Sequence, residues 1–477
     1  MRLLPTLDAS LTGLLMAITL VVYLPTLRIY FHGDDFVAFV DLVSRQPVDH
    51  LWRVLTFSDY NFYWRPLAQA YYLLLYQLFG LDPVAFHAAN LAIYLLTVWC
   101  VYLFCLRARL TRPVALLAAL LFALTPAHVV SVAWVTNGGR LLALLFVLGS
   151  LLVVQRALLT RSLIDEVGAW LLFLAAALSD ETVIALAPVL VLYPLAVGGP
   201  PRFGPSLTRG AAYGALCAIF IPLQMFFTLD DEPRLSQYNL GWHAMNQMWA
   251  LLSRLALPID QGGLMSTAYY EIPGREWAAG AVLGALLGLC LVLGSRQLRL
   301  LALWVVLGLL PFTLWDIPVI SGRYVYYAVA PFSIILAWIA VGIPSWLRRH
   351  APAVSLPSWA LVSITSCLVL VAFAGMTSQR HVDWSHETEP YRVLAEGLPR
   401  ALPELPDGGK RLIIYYSIWG GWEFWPTSVV RTIYARPDLP VVAVPRGLVD
   451  SPWPRRERGD IAVYYTNDGF LLAAFAR

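Results

Sequence analysis

Apolar stretches long enough to cross a bilayer recur along most of the chain, and no other feature constrains the fold as much. A segment inside lipid must satisfy its own backbone hydrogen bonds, so a chain built of such stretches folds as a bundle of helices. About eleven spans can be drawn, at residues 10–27, 85–106, 114–135, 141–157, 167–179, 182–197, 210–228, 277–294, 300–316, 324–343 and 358–376. The fifth and sixth fall short of the roughly 20 residues a crossing needs and read as one broken pair around Ser179-Asp180-Glu181. Charged residues make up 13% of the chain against about 25% in a soluble domain, and the mean hydropathy is +0.66. The solvent of most of this chain is lipid. A net charge of +3 spread over 477 residues gives no reason to expect a nucleic-acid partner.

Charge decides the orientation. With the N-terminus in the cytoplasm, the inner segments carry 12 arginines against three acids, and the outer segments before residue 377 carry 9 arginines against 15 acids. The excess of basic residues belongs on the cytoplasmic side. The C-terminus then lies outside, together with Asp34, Asp35, Asp180, Glu181 and Arg323. The first span runs into Tyr23-Leu24-Pro25 without a small-residue cleavage site, and reads as a retained helix. The five cysteines, Cys100, Cys105, Cys217, Cys290 and Cys367, all fall inside spans, so no disulfide is expected. No CxxC or His/Cys cluster suggests zinc.

Two outer loops are too long to be simple connectors, 28–84 and 229–276. Apolar spacing in 36–56 and again in 244–257 predicts short amphipathic helices on the membrane surface. Residues 66–79 are apolar but short, and counting them as a crossing would reverse every later loop, so they are read as non-spanning. Asp230-Asp231-Glu232 reads as a solvated loop. From about residue 377 the composition turns soluble, with 12 basic and 12 acidic residues. Here 412–416, 441–444 and 461–465 read as strands, 425–434 as a helix, and Asn467-Asp468-Gly469 as a hairpin turn before 470–472. The expected division is a membrane domain over 1–376 and an extracytoplasmic α/β domain over 377–477.

The chemistry centres on Gly33-Asp34-Asp35, just beyond the first span. The triplet makes good turn chemistry. It also places two like charges side by side at an interface, which raises the pKa of at least one carboxyl and suits it to act as a base near neutrality. Other motifs follow in order. They are Asn61-Phe62-Tyr63-Trp64-Arg65-Pro66-Leu67; Gly80-Leu81-Asp82-Pro83-Val84-Ala85-Phe86-His87-Ala88-Ala89-Asn90; Pro126-Ala127-His128 with Val132-Ala133-Trp134 and Gly139-Arg140; Leu178-Ser179-Asp180-Glu181-Thr182 with Pro188; and Gly322-Arg323-Tyr324-Val325-Tyr326.

This ordered series resembles the GT-C superfamily of polyprenyl-phosphate-sugar-dependent glycosyltransferases, nearest to the membrane half of the transmembrane and tetratricopeptide-repeat O-mannosyltransferases. The resemblance runs over roughly residues 10 to 345. It implies a polytopic α-helical membrane protein, GT-C-like, with about eleven transmembrane helices, here followed by the small C-terminal α/β domain. It implies transfer of a sugar from a polyprenyl-phosphate donor to an acceptor hydroxyl on a protein, glycan or lipid at the extracytoplasmic face, with inversion at the anomeric carbon. Asp34 matches the acidic position implied to be the catalytic base, and Asp35 its neighbour, which would orient the acceptor or share a proton. Two departures stand out. A Ser-Lys-Glu in the family is Ser179-Asp180-Glu181 here, and the α/β tail stands where the repeats would be.

Arg65, Arg140 and Arg323 are outer-side arginines at helix ends, able to grip a donor phosphate bidentately. Each also fits interfacial snorkelling or pairing with an acid. Asp180 and Glu181 fit an ion or acceptor site, or a cap on the next helix. His87 and His128, near span ends, fit structural hydrogen bonding as well as catalysis. The residues specify no cofactor: arginines alone can meet the phosphate charge, and a divalent metal is compatible but has no ligand cluster behind it. Two other functions, a lipid-sugar transporter or flippase and a non-catalytic assembly protein, fit a polytopic chain. A transporter would carry mid-membrane ionisable residues and inverted repeats, whereas the ionisable residues here gather on one face.

Overall fold

The computed structural model describes residues 5–56, 63–197, 203–226, 238, 241–257, 267–268, 274–315, 319–350, 358–404, 411–416, 424–445, 460–466 and 469–473. The first apolar stretch forms α1 (Pro5–Tyr23), extended by a 3-10 turn to Arg28. The first long loop holds α2 (Gly33–Ser44), α3 (Pro47–Leu55) and α4 (Pro66–Phe79). The bundle continues with α5 (Pro83–Arg107), α6 (Arg112–Leu124), α7 (His128–Ala133), α8 (Gly138–Thr160), α9 (Leu163–Ser179), α10 (Ala187–Ala196) and α11 (Phe203–Phe226). The second long loop contributes α12 (Trp242–Ala256), and α13 (Gly274–Leu293), α14 (Arg296–Thr313), α15 (Tyr326–His350) and α16 (Ser358–Ala401) follow.

Among the described residues six helices are long and apolar enough to cross a membrane, over Ala9–Arg28, Pro83–Arg107, Val135–Thr160, Arg296–Thr313, Gly322–Pro344 and Val362–Ala401. Arg112–Leu124, Glu181–Ala196 and Trp277–Leu293 are shorter apolar helices. The chain is a multi-pass membrane protein. Local chemistry sets the helix ends. Asp82 caps α5 through the Val84 amide at 3.0 Å, with Pro83 as the first helical residue. Arg161 closes α8 in the left-handed region at φ 55°.

One expectation needs correction. The span drawn over 114–135 is not one helix: α6 stops at Leu124 and α7 starts at His128. Pro126 is the reason, since a residue before proline is driven out of the helical region, and Thr125 sits at φ −61°, ψ 121°. Secondary structure does not break between 376 and 377. The 44-residue α16 runs straight through that point, so the change in composition marks where the helix leaves its apolar surroundings and not where it ends. The pair around Ser179-Asp180-Glu181 is broken as expected, with Asp180 extended at φ −153°, ψ 117° before a 3-10 turn over Glu181–Leu186.

The helices of the two long loops carry exposed apolar stripes. Val48, Trp52 and Leu55 are exposed on α3 while His50 and Val54 are buried, and Trp242 and Met245 are exposed on α12. Helix α4 buries Ala68, Tyr72 and Leu75 and exposes Leu74, Leu78 and Phe79. Asp230-Asp231-Glu232 and the Asn467-Asp468 turn lie outside the described residues.

The tail contains β-strands and one helix. A two-residue pairing of β1 (Thr267–Ala268) with β2 (Val319–Ile320) precedes it. Then β3 (Leu412–Tyr416), α17 (Phe424–Ile433), β4 (Val441–Pro445), β5 (Ile461–Thr466) and β6 (Gly469–Ala473) build a four-stranded sheet in the order β4-β3-β5-β6. Strand β3 pairs in parallel with β4 and β5, in register Leu412 with Val441 and with Ile461, and β6 returns antiparallel to β5. Both faces of central β3 are covered. Ile413 points to Val444 and Ala462, whereas Leu412 and Ile414 join a larger core.

That larger core positions the site. It unites Phe31, Phe36 and Phe39 of the first loop, Tyr72 of α4, Tyr391, Leu394 and Leu398 of α16, Trp425 and Val429 of α17, and Ile461 and Val463 of β5. The tail and the first long loop therefore share one hydrophobic cluster. The hydroxyl of Thr432 also donates to the Phe36 carbonyl at 3.1 Å. A second, larger cluster fills the helix bundle.

Candidate active site

The aspartate pair opens helix α2, where helix amides and the macrodipole favour negative charge. The two carboxyls have different surroundings. Asp35 is fully buried and accepts two backbone amides, His32 N–H at 2.8 Å on one oxygen and Thr136 N–H at 2.8 Å on the other. The first bond completes a capping box and the second ties α2 to the turn that precedes α8. Burial pushes the Asp35 carboxyl up to about 7, against the pull of the amides it accepts. Asp34 is half-buried. One of its oxygens accepts the indole N–H of Trp425 at 2.8 Å, and among the described residues the other has no hydrogen-bond donor. Burial raises its pKa as well, opposed by Arg323 and by the Trp425 N–H.

His32 fixes the entry to this helix. Its Nδ1 accepts the Asp34 amide at 3.4 Å, so the proton of the neutral ring sits on Nε2, which is buried with no partner. Burial, and then Arg323, lowers the pKa of the ring to about 3. Four aromatic rings enclose it, with centroids at 4.7 Å for Trp134, 5.1 Å for Tyr391, 5.2 Å for Trp425 and 5.5 Å for Trp384.

The three arginines separate into two classes. Arg65 holds Glu181 with a two-pronged contact, Nε to Oε2 at 2.6 Å and Nη2 to Oε1 at 2.8 Å, and reaches Asp180 at 3.6 Å. Arg140, buried, donates from Nε to Asp180 at 3.2 Å and from Nη1 to the Arg323 carbonyl at 3.1 Å. Asp180 is fully buried and also accepts the amide and hydroxyl of Thr182. Burial works against its charge, but Arg65 and Arg140 outweigh that and hold the carboxyl below its ordinary value. Asp180 is thus matched by the buried Arg140 and the partly buried Arg65, and it also caps the turn that follows. Arg323 differs. Among the described residues it makes no salt bridge, and its Nε is buried without a partner. Its guanidinium lies 4.2 Å from the Trp134 ring centroid, and its Nη2 donates to Tyr324 Oη at 3.3 Å. Through Trp134 it stands beside His32, and its charge acts on Asp34.

The histidines fall in the frame. His128 Nδ1 meets the Tyr94 hydroxyl at 2.9 Å, and its ring packs on Phe122 and Tyr326. His87 is fully buried against Phe31. Other motif residues brace the segment that carries Trp134 and Thr136. Asn90 accepts from Tyr71 at 2.8 Å and donates to the Val132 and Val135 carbonyls, and Tyr72 donates to the Thr136 carbonyl at 2.7 Å. Gly139 allows α8 to meet the end of α9. A Cβ there would lie 2.6 Å from the Ser179 carbonyl oxygen and 2.8 Å from the Ala68 Cβ. The Gly139-Arg140 motif therefore sets the close approach that delivers Arg140 to Asp180.

Sequence reasoning did not select Trp425, His32, Trp134, Tyr391 or Trp384 for this site. His32 could have been found as the residue three before Asp35 in a capping box, although histidine is an uncommon cap. Nothing local marks Trp425, which is 391 positions from Asp34. Among the described residues no group of three or more His, Cys, Asp or Glu side chains is placed to hold a metal ion.

No family model matches the chain. A protein O-mannosyl-transferase, Tmtc1 of Drosophila melanogaster, is 30% identical over 177 residues, covering 35% of this chain and 21% of that protein. The match thus spans about a fifth of the relative's length. The oligosaccharyltransferase of Archaeoglobus fulgidus, solved tethered with an acceptor peptide, superposes with a TM-score of 0.50 at 12% identity, covering 91% of this chain and 64% of that one. ArnT from Cupriavidus metallidurans in the apo state gives a TM-score of 0.45 at 15% identity, covering 97% and 94%. The likeness to the archaeal oligosaccharyltransferase shows that the chain shares its fold, and a segment of 177 residues is similar to part of Tmtc1.

Proposed function

We propose that this chain is a glycosyltransferase that moves a sugar from a polyprenyl-phosphate donor to an acceptor hydroxyl on the extracytoplasmic face, with Asp34 as the base. The observation that carries this reading is the asymmetry of the aspartate pair. Asp35 spends both oxygens on backbone amides, whereas among the described residues Asp34 keeps one oxygen without a donor and sits in the field of an arginine that has no salt bridge there. A carboxylate with a raised pKa and a free lone pair suits proton abstraction. In the step, the Asp34 carboxylate takes the acceptor O–H proton as that oxygen attacks the anomeric carbon in line. The bond from the anomeric carbon to the phosphate oxygen breaks, and the departing polyprenyl phosphate keeps its electron pair. The configuration inverts. Arg323 offsets the charge that develops on the phosphate. Arg65 and Arg140, paired with Asp180 and Glu181, form a fixed, charge-balanced frame behind it.

The name of the Drosophila relative favours mannose as the sugar and a protein hydroxyl as the acceptor. The test uses radiolabelled polyprenyl-phosphate mannose with membranes containing the full chain, following label from the organic phase into protein. Transfer by the chain and its loss in Asp34→Asn, with folding intact by gel filtration in detergent, is the expected result. Undiminished transfer by Asp34→Asn sinks the assignment of the base.

A further inference from the structure

We propose that Trp425, on the tail helix α17, is a positioning residue for the Asp34 carboxylate, so that the C-terminal segment forms part of the active site. This rests on the reading of Asp34 as the base, and the argument for it is geometric. The Trp425 indole N–H donates to Asp34 Oδ1 at 2.8 Å. Its ring also packs edge-on against His32, whose Nδ1 accepts the Asp34 amide, and against Tyr391 of α16. One side chain from the tail therefore holds the carboxylate directly and the residue that caps its helix by packing.

Gly33 shows how closely the indole approaches. A Cβ at that position would lie 2.5 Å from Trp425 Cγ, 2.8 Å from Cδ1 and 2.9 Å from Cδ2. Atoms of a rigid ring cannot yield as the end of a flexible side chain would, so the glycine beside the aspartates is the residue that admits the tryptophan. By occupying Oδ1, the indole directs the remaining oxygen, Oδ2, to the acceptor. An N–H donor also stabilises the ionised carboxylate, the form a base needs. The docking of α17 on α2 has a separate anchor in the Thr432 hydroxyl, which donates to the Phe36 carbonyl at 3.1 Å. This supplies a control in the same interface that leaves Asp34 untouched.

The test titrates Asp34 in the full chain in detergent by difference infrared spectroscopy against Asp34→Asn, alone and with Trp425→Phe. Phenylalanine removes the donor and keeps an aromatic ring, though a smaller one. Its loss shifts the titration midpoint of Asp34 upward by about one to two pH units. Gly33→Ala, which displaces the indole without altering it, moves the midpoint in the same direction, and Thr432→Val leaves it in place. An unmoved midpoint in Trp425→Phe, or an equal movement in Thr432→Val, overturns the assignment. The acid limb of mannose transfer from the polyprenyl-phosphate probe should move with the midpoint. If the midpoint moves and the limb does not, the base reading fails instead.

Discussion

Removing the charge of Asp180 while keeping its shape tests the frame behind the site. Asp180→Asn leaves an amide between Arg65 and Arg140. Arg65 keeps its two-pronged contact with Glu181, but Arg140 loses the one carboxylate within its reach among the described residues. At 3.2 Å the lost attraction is about 5 kcal/mol for an effective dielectric constant of about 20. Breaking a buried ion pair on one side costs about 3–5 kcal/mol, because the partner remains charged and desolvated. The expected destabilisation of Asp180→Asn therefore falls in that range. Two further variants sharpen the test. Arg140→Met added to Asp180→Asn removes the stranded cation and should recover part of the loss. Asp180→Lys, which restores the residue type of the related sequences, places a third cation against two guanidinium groups and should be the least stable of the set. The measurement is equilibrium unfolding in mixed micelles, with a double-mutant cycle for the pair. A loss below about 1 kcal/mol in Asp180→Asn, or strict additivity with Arg140→Met, would refute the claim that these charges depend on one another.

Asp35→Asn should retain one acceptor oxygen and lose the other amide contact, at a cost of about 1–3 kcal/mol in unfolding free energy measured at mildly acidic pH. Its pH dependence has a definite sign. The folded pKa of Asp35 is raised to about 7, so its contribution to stability is full below the unfolded value of about 3.9 and is lost as pH rises through the folded value. The unsubstituted chain should thus lose stability relative to Asp35→Asn between about pH 4 and about pH 7, and parallel curves would contradict the buried, raised carboxyl. Transfer activity should fall on acidification through a midpoint above the ordinary aspartate value of about 3.9, since burial raises the Asp34 pKa and the base works ionised. A rate profile flat down to about pH 4 would exclude it. Gly139→Ala should cost about 1–3 kcal/mol through the clash with the Ser179 carbonyl and Ala68, read from the unfolding midpoint, and a neutral effect would mean that α8 and α9 separate freely.

Much of this architecture follows from features that are local in the chain. Apolar length marks where helices form, and a helix lies at each stretch from 85–106 to 358–376, because backbone bonding within a segment needs no distant partner. The strands over 412–416, 441–445 and 461–466 follow from short β-rich runs. The aspartates, the three arginines and the order of their motifs were legible for the same reason, since residue type and spacing are written locally. What each charge does was not legible. Arg65 meets Glu181 across 116 positions, Arg140 meets Asp180 across 40, and Arg323 is left with an aromatic ring, so three similar arginines receive different tasks only when the helices pack. The two aspartates are one residue apart, yet only folding brings Thr136 to one and Trp425 to the other. Hydrogen bonds and ion pairs depend on distances of a few ångströms between segments far apart in sequence, and that information exists only in the tertiary structure.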